Sequence, residues 1–321
     1  MSRYTSFLAS SIDAFVKFRK ASGRWNIVTY ESNIRKFDKY CANYHSEADT
    51  LTQEIVDGWC KKRNNESNNS CRARISVIGT FVEYLRVRSL TNIKGPDIPK
   101  WKKCRYIPHA FTEKELKNFF QACDEIDSVP CNSLVITRKL SVPVFFRLLY
   151  SSGLRTNEAR LLHTEDVDLK QGILNIRFTK GCNQRFVVLH DSMLRIMKLY
   201  DAAIRVHHPN REYFFPAVYG THHLRRWVQD NFKELWYKYN TAPTTAYDLR
   251  HNYAIENINQ WINDGSDFYN KLVLLSKSMG HIKVENTKYY FHLVPSLADI
   301  IEKASGESFN DIVPEVNYAT L

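Results

Sequence analysis

The sequence predicts a mainly α protein in two parts: a basic helical domain, then a larger, mostly helical domain carrying a small antiparallel β-sheet. Three observations predict it. The 321 residues exceed one typical domain of ~100–200 residues. Apolar residues recur at three-to-four spacing through most of the chain, and a single stretch near 172–189 reads as paired β-runs. Charge is divided unequally. Residues 1–110 hold 20 Lys+Arg against 10 Asp+Glu, and residues 111–321 hold 25 against 24. Nearly all of the +11 net charge therefore lies in the first third, which implies a polyanion-binding module joined to a domain with another task.

Composition excludes several classes. A hydrophobic fraction of 44% and a charged fraction of 25% are incompatible with wholesale disorder. The most apolar run, Leu140–Tyr150, is short for a membrane span and contains Arg147. The first residues carry Arg3, Asp13 and Lys17 rather than a signal-peptide block. An anionic membrane surface would need an amphipathic helix with its apolar face left open, whereas these faces read as bundle cores. Seven scattered cysteines without a C-x-x-C pair argue against a disulfide framework or structural zinc and for a reducing cytosol.

In the N-terminal domain, Phe7, Leu8, Ile12, Phe15 and Val16 share one face of a helix over 3–20. Ile27, Tyr30, Ile34, Phe37 and Cys41 do so over 25–43. Thr52 caps a short helix with Ile55, Val56 and Trp59. After the polar turn 64–70, a helix over 71–88 buries Ile75, Ile78, Val82 and Leu85. Residues 89–110 contain three prolines, one glycine and a Lys/Arg cluster at 100–105. This reads as an extended linker, either laid along phosphates or solvated.

Thr112 and Glu115 have capping-box spacing and open the second domain, followed by the apolar face Leu116, Phe119, Phe120 and Cys123. A long helix over 133–150 contains Pro143, expected to kink it or mark its first turn. Residues 172–178 and 185–189 form a hairpin. Helices are expected at 191–206, 222–239, 245–261, 268–279 and 296–304. Trp227, Trp236 and Trp261 are assigned to the core.

Four segments carry the chemistry. In Gly153-Leu154-Arg155-Thr156-Asn157-Glu158, the glycine breaks one helix and Arg155 starts the next, beside backbone N–H groups suited to an anion. Thr179-Lys180-Gly181 places a lysine at the hairpin tip. In Tyr247-Asp248-Leu249-Arg250-His251, Tyr247 and Arg250 are spaced as neighbours on one helical face. Gly280-His281 is followed nine positions later by Tyr290. Each is common by itself; their order and spacing are informative. Together they resemble the tyrosine recombinase (phage integrase) family, including its Xer-like and Cre-like site-specific recombinases, and the resemblance spans the whole chain.

The resemblance implies a core-binding (SAM-like) domain at 1–88, a basic linker at 89–110, a catalytic domain at 111–295 and a tail at 296–321 that docks on a neighbouring protomer. It implies that Tyr290 attacks a DNA phosphodiester to give a 3′-phosphotyrosyl bond and a free 5′-hydroxyl. Arg155 and Arg250 match the phosphate clamp, Lys180 the acid that protonates the leaving oxygen, and His281 a phosphate hydrogen-bonding residue. Glu158 matches an acidic residue that orients these side chains. No cofactor or metal is implied, because the phosphotyrosine conserves the bond energy. Tyr290 is preferred to Tyr289 by the family spacing. Tyr247 stands where the family has histidine. A phenol is a worse base but can still donate a hydrogen bond to the phosphate, so Tyr247 is assigned to assist the clamp and the general base is left open; His251, about a hundred degrees around the helix from Arg250, is read as structural.

The implied partners are double-stranded DNA and three further copies of the chain, in a homo-tetramer on two DNA sites with a monomer off DNA; the resemblance also leaves room for accessory recombination factors. Helices 25–43 and 71–88 would approach the major groove, with Lys36, Lys39, Arg72, Arg74, Lys102, Lys103 and Arg105 as DNA contacts. Integration and excision of a mobile element is favoured over Xer-type chromosome-dimer resolution, since housekeeping Xer proteins usually keep the histidine replaced by Tyr247. A cytoplasmic, nucleoid-associated location follows. The competing readings are an inactive DNA-binding protein of the same fold and a type IB topoisomerase-like enzyme.

Overall fold

The computed structural model describes residues 3–25, 27–102, 106–127, 133–177, 184–262 and 268–290. The chain divides into two compact units, 1–106 and 107–321.

Among the described residues the first unit contains four α-helices: α1 (Ala9–Ala21), α2 (Ser32–Tyr44), α3 (Gln53–Cys60) and α4 (Asn68–Val87). The segment before α1 is not helical. Its Thr5 and Ser6 amides and the Ser6 hydroxyl all donate to the buried Asp38 carboxylate of α2, at 2.7–3.3 Å. That carboxylate anchors the N-terminal segment and delays the helix start. A π-helical turn, Ile27–Glu31, runs directly into α2. The apolar stripes meet as periodicity requires: Ile12, Phe15, Ile34, Phe37, Val56, Ile78, Phe81 and Val82 are fully buried in one core. Thr52 caps α3 by accepting from the Ile55 amide, and Ser67 caps α4 by accepting from the Ser70 amide.

Residues 93–102 do not run free of the helices. Pro96 and Ile98 lie against α4 at Gly79, where a Cβ would come within 3.6–3.7 Å of them. The Asn68, Asn69 and Arg72 side chains of α4 donate to the carbonyls of Lys100, Lys102 and Pro99 at 2.7–2.8 Å. The segment has too little apolar content to form an element of its own, so α4 supplies its hydrogen-bond partners.

The second unit is built around α6 (Ser133–Ser152), which packs against α5 (Glu113–Asp124), α8 (Asp191–His207) and α10 (Asp248–Ile262). Thr112 and Glu115 form the expected reciprocal capping box on α5. Pro143 lies inside α6, which continues through it. Phe119, Phe145, Phe146, Phe232 and Trp236 make an aromatic core with ring centroids 4.9–6.0 Å apart. Trp236 is fully buried and donates its indole N–H to the Ala242 carbonyl at 2.7 Å. Trp227 and Trp261 are partly buried against apolar clusters.

The sheet has three antiparallel strands, β1 (Val167–Asp168), β2 (Ile173–Ile176) and β3 (Arg185–Val188), in the order β1-β2-β3. β2 and β3 pair from Ile173 with Val188 to Ile176 with Arg185. The expected Lys180 tip lies outside the described residues. The short α7 (Thr156–Arg160), α9 (Arg225–Tyr239), α11 (Phe268–Met279) and the four-residue α12 (Glu285–Lys288) complete the unit. The helix expected at 296–304 and the tail lie outside the described residues. Among the described residues, no helix is long and apolar enough to cross a membrane, and Cys41, Cys60, Cys71 and Cys123 are free.

One expectation is corrected here. Arg74 was expected to contact DNA, but it is 3% exposed. Its guanidinium donates to both Glu66 oxygens, at 2.8 and 2.6 Å, and to the Trp59 and Lys61 carbonyls. The hydrogen bond from Arg74, the largest effect, holds the Glu66 carboxyl at about 2. A folded-state pKa below the unfolded one means that the pair stabilises fully above about pH 5 and weakens as pH falls toward 2. Arg74→Ala is expected to lower stability by roughly 3–5 kcal/mol at neutral pH and to flatten that acid dependence, read from urea unfolding at pH 7 and pH 3.

Candidate active site

Two helix ends create the site. α6 terminates at Gly153, whose φ of +61° places it in the left-handed region. Its amide bonds back to the Leu149 carbonyl at 3.1 Å, and a Cβ there would come within 2.3 Å of Tyr253. α11 terminates at Gly280, with φ +66°. The Gly280 amide bonds to Lys277 and the His281 amide to Ser276, both at 2.9 Å, which is a Schellman motif. A Cβ on Gly280 would lie 2.7 Å from an Arg185 nitrogen. Both positions therefore require glycine.

Three arginines converge on the end of α11. Arg185 of β3 donates to the Ser278 carbonyl at 2.6 Å, Arg250 of α10 to the Met279 carbonyl at 2.6 Å, and Arg155 to the Gly280 carbonyl at 2.9 Å. The carbonyls ending a helix lack intrahelical partners and carry its negative dipole, so cations are favoured there. Arg250 also donates to the Gly153 carbonyl, which ties the two helix ends together. It is 1% exposed, and its Nε hydrogen has no partner among the described residues. Burial, then the positive Arg155, brings its pKa down to about 10, so it stays charged at neutral pH.

Glu158 compensates this charge. It is 3% exposed. Arg155 reaches its Oε1 at 2.6 Å, and Arg185 bridges both oxygens at 3.1 and 2.8 Å. Burial pushes the carboxyl up, but the hydrogen bonds and charge of Arg185 and Arg155 outweigh it and hold the group below its ordinary value. The Arg155 amide donates to Glu158 at 2.9 Å, so a carboxylate of the chain itself caps this helix start.

The histidines and tyrosines surround this cluster. His281 Nε2 lies 3.1 Å from Arg250. A guanidinium only donates, so Nε2 accepts, and the ring proton sits on Nδ1, facing the Thr287 hydroxyl at 2.7 Å. Burial, reinforced by Arg250, Arg155 and Arg185, lowers His281 to about 4. Tyr290, 3% exposed, packs on Ala254, Ile255, Ile258, Leu275 and Met279. Its ring is nearly parallel to His281, at 13° and 6.4 Å. Its hydroxyl lies 3.0 Å from His251 Nδ1. Burial raises Tyr290 to about 12, against the pull of Arg250.

The cluster thus joins Arg155, Glu158, Arg250, His281 and Tyr290. Tyr289, the alternative to Tyr290, is 38% exposed. Tyr247 stands near enough to Arg250 and Tyr290 to act electrostatically on both. It precedes α10, where its carbonyl accepts the Arg250 amide at 3.1 Å, and its ring stands edge-on to His251 at 5.0 Å. His251, read from the sequence as structural, touches the Tyr290 hydroxyl. Sequence reasoning missed Arg185 and Thr287. Their signals were an arginine opening the second hairpin strand and a threonine three residues before Tyr290. On the first unit, Lys36, Lys39 and Lys102 are exposed and Arg72 is half-buried. Lys103 and Arg105 lie outside the described residues. Among the described residues, no His/Cys/Asp/Glu group could hold a metal ion.

Known proteins resemble this chain in sequence and fold. A tyrosine recombinase of Thermosipho africanus is 24% identical over 281 residues, covering 82% of this chain and 87% of that one. The tyrosine recombinase XerD of Staphylococcus epidermidis is 23% identical over 293 residues, covering 88% and 92%. Among solved structures, XerH bound to its difH substrate superimposes with a TM-score of 0.59 at 18% identity, covering 88% of this chain and 82% of that one. The class is that of the tyrosine-type site-specific recombinases. The phage integrase family profile matches residues 109–296, and the chain belongs to that family.

The site makes a testable demand on stability. Glu158→Gln keeps the volume but removes the buried negative charge facing Arg155 and Arg185. It is expected to cost roughly 3 kcal/mol or more, read as a lowered unfolding midpoint of the full chain. An unchanged midpoint would mean that the α11 carbonyls alone compensate the arginines.

Proposed function

We propose that this chain cleaves and rejoins duplex DNA through a 3′-phosphotyrosyl bond formed by Tyr290, and that its biological role is integration and excision of a mobile element. The observation that carries the chemistry is one buried tyrosine within the electrostatic reach of Arg250 and Arg155, its ring beside His281 and its hydroxyl against His251. Arg155 and Arg250 would clamp the non-bridging oxygens of the scissile phosphate, exchanging carbonyl partners for stronger charge-assisted bonds. A phosphate's negative charge would oppose the arginine field that lowers His281, allowing His281 to gain a proton and donate through Nε2. Glu158, with Arg185, positions Arg155. Lys180 is assigned the leaving-group proton by its place in the family pattern.

The first unit, as the core-binding domain, would grip the duplex through exposed Lys36 and Lys39 of α2 and through Lys102, with Arg72 beside them and Lys103 and Arg105 extending the basic segment. Such contacts make affinity strongly salt-dependent. The working assembly would be a tetramer on two sites, with the tail from 296 linking protomers; a λ integrase tetramer on a Holliday junction shares the fold, at a TM-score of 0.55. The Tyr247 departure supports the mobile-element role. The place of action is the nucleoid.

Nicked DNA from the flanks of the gene, run with the protein on a denaturing gel, tests this. A shifted covalent band is expected from the natural chain and from Tyr289→Phe, and none from Tyr290→Phe. Arg250→Ala is expected to slow band formation by ~10² or more. Tight, salt-sensitive binding without a band would overturn the catalytic reading in favour of an inactive DNA-binding protein.

A further inference from the structure

We propose that His251, not the residue at the family's histidine position, takes the proton of Tyr290 as its oxygen attacks phosphorus. The inference rests on the recombinase reading above.

Its ground is geometric. His251 Nδ1 and the Tyr290 hydroxyl are 3.0 Å apart, within the reach a general base needs. Both are buried. The other candidates are occupied. His281 has one ring nitrogen on Arg250 and the other on Thr287. Both Glu158 oxygens are held by arginines. Tyr247 stands at the start of α10, 41% exposed, and turns its ring against His251. A neutral phenol there would have to become an oxonium, or first lose its own proton, to accept one from Tyr290, whereas a neutral imidazole accepts a proton on a ring nitrogen and becomes an ordinary imidazolium.

The step balances. A Tyr290 oxygen lone pair forms the O–P bond while the hydroxyl proton moves to His251 Nδ1. The P–O5′ bond breaks, and its electron pair leaves on the 5′ oxygen, which is protonated by Lys180. In religation the 5′-hydroxyl attacks, the Tyr290–phosphorus bond breaks, and the tyrosine oxygen recovers the proton from His251. Burial lowers His251 to about 4, opposed by Asp248 and reinforced by Arg250. The ring is therefore neutral, and able to accept, across the physiological range. The titratable and charged groups around it are Asp248, Arg250 and Tyr247 on its own side and Tyr290 and His281 opposite.

The test is single-turnover formation of the phosphotyrosyl adduct by the full chain. His251→Asn presents an amide near the Nδ1 position that can accept a hydrogen bond but not a proton. It is expected to form adduct ~10²-fold more slowly at pH 7 or worse, with DNA binding unchanged. Between pH 6 and 9 the natural chain should be nearly flat. The variant should climb about tenfold per pH unit as unassisted phenol ionisation takes over. A 5′-phosphorothiolate substrate, whose leaving group needs no proton, should leave His251→Asn slow while restoring Lys180→Ala. If lost DNA binding shows that the asparagine chain is misfolded, His251→Gln serves with the same expectations. The proposal is overturned if the variant stays within threefold of the natural chain with a flat profile, or if the tenfold slope appears in Tyr247→Phe instead. If the natural chain itself forms no adduct, the recombinase reading falls, and this proposal with it.

Discussion

The geometry of the site depends on how three guanidinium groups can share one small volume. Arg155, Arg185 and Arg250 come from the turn after α6, from β3 and from α10, and like charges so placed repel strongly where solvent is excluded. Two features allow it. The C-terminal carbonyls of α11 offer each arginine an acceptor, and the helix dipole adds to their attraction. Glu158 supplies a full negative charge to two of the three. Remove either feature and the arginines have reason to swing outward, taking with them the turn, the strand and the helix that carry them. The glycines follow from the same constraint. Gly280 leaves room for Arg185, and Gly153 turns its carbonyl to Arg250.

This arrangement leaves the site short of negative charge. Three arginines face one carboxylate, and both histidines are held neutral by burial. The Arg250 Nε hydrogen is an unmet donor among the described residues, a costly state for a buried group. The deficit has the sign an anionic substrate would correct. It also explains why a tyrosine can rest here without reacting. Burial raises its pKa to about 12, so its ionised form is scarce at neutral pH until a base accepts its proton.

Much of this was legible in the sequence where the cause is local. The Thr112–Glu115 capping box, the Ile34–Phe37–Cys41 stripe and the left-handed glycines ending α6 and α11 each depend on a few adjacent residues. What was illegible depends on distant partners. Arg74 reads like the other arginines of α4, and only the return of Glu66 and the Trp59 carbonyl buries it. Arg185 is assigned by Glu158 and Ser278, 27 and 93 residues away. β1 is two residues long and is defined by its pairing with β2. His251 was judged by its angle from Arg250 along one helix, whereas its neighbour across the site is set by α12, a four-residue helix with no usable periodicity.

The Tyr247 departure then has a structural logic. Positions 247 and 251 differ by one helical turn, and residues so spaced lie on the same side of a helix. Here the two rings are in edge-on contact. A proton acceptor moved from the first position to the second stays on the face turned toward Tyr290, displaced by about the rise of one turn. The aromatic ring left behind at 247 covers the imidazole on its outer side. The base is thereby buried deeper than a histidine at position 247, 41% exposed, would be. It is kept neutral by that burial and held against the hydroxyl it serves. A substitution that looks like the loss of a catalytic group in a single segment becomes a relocation once Tyr290, just after α12, packs on α10.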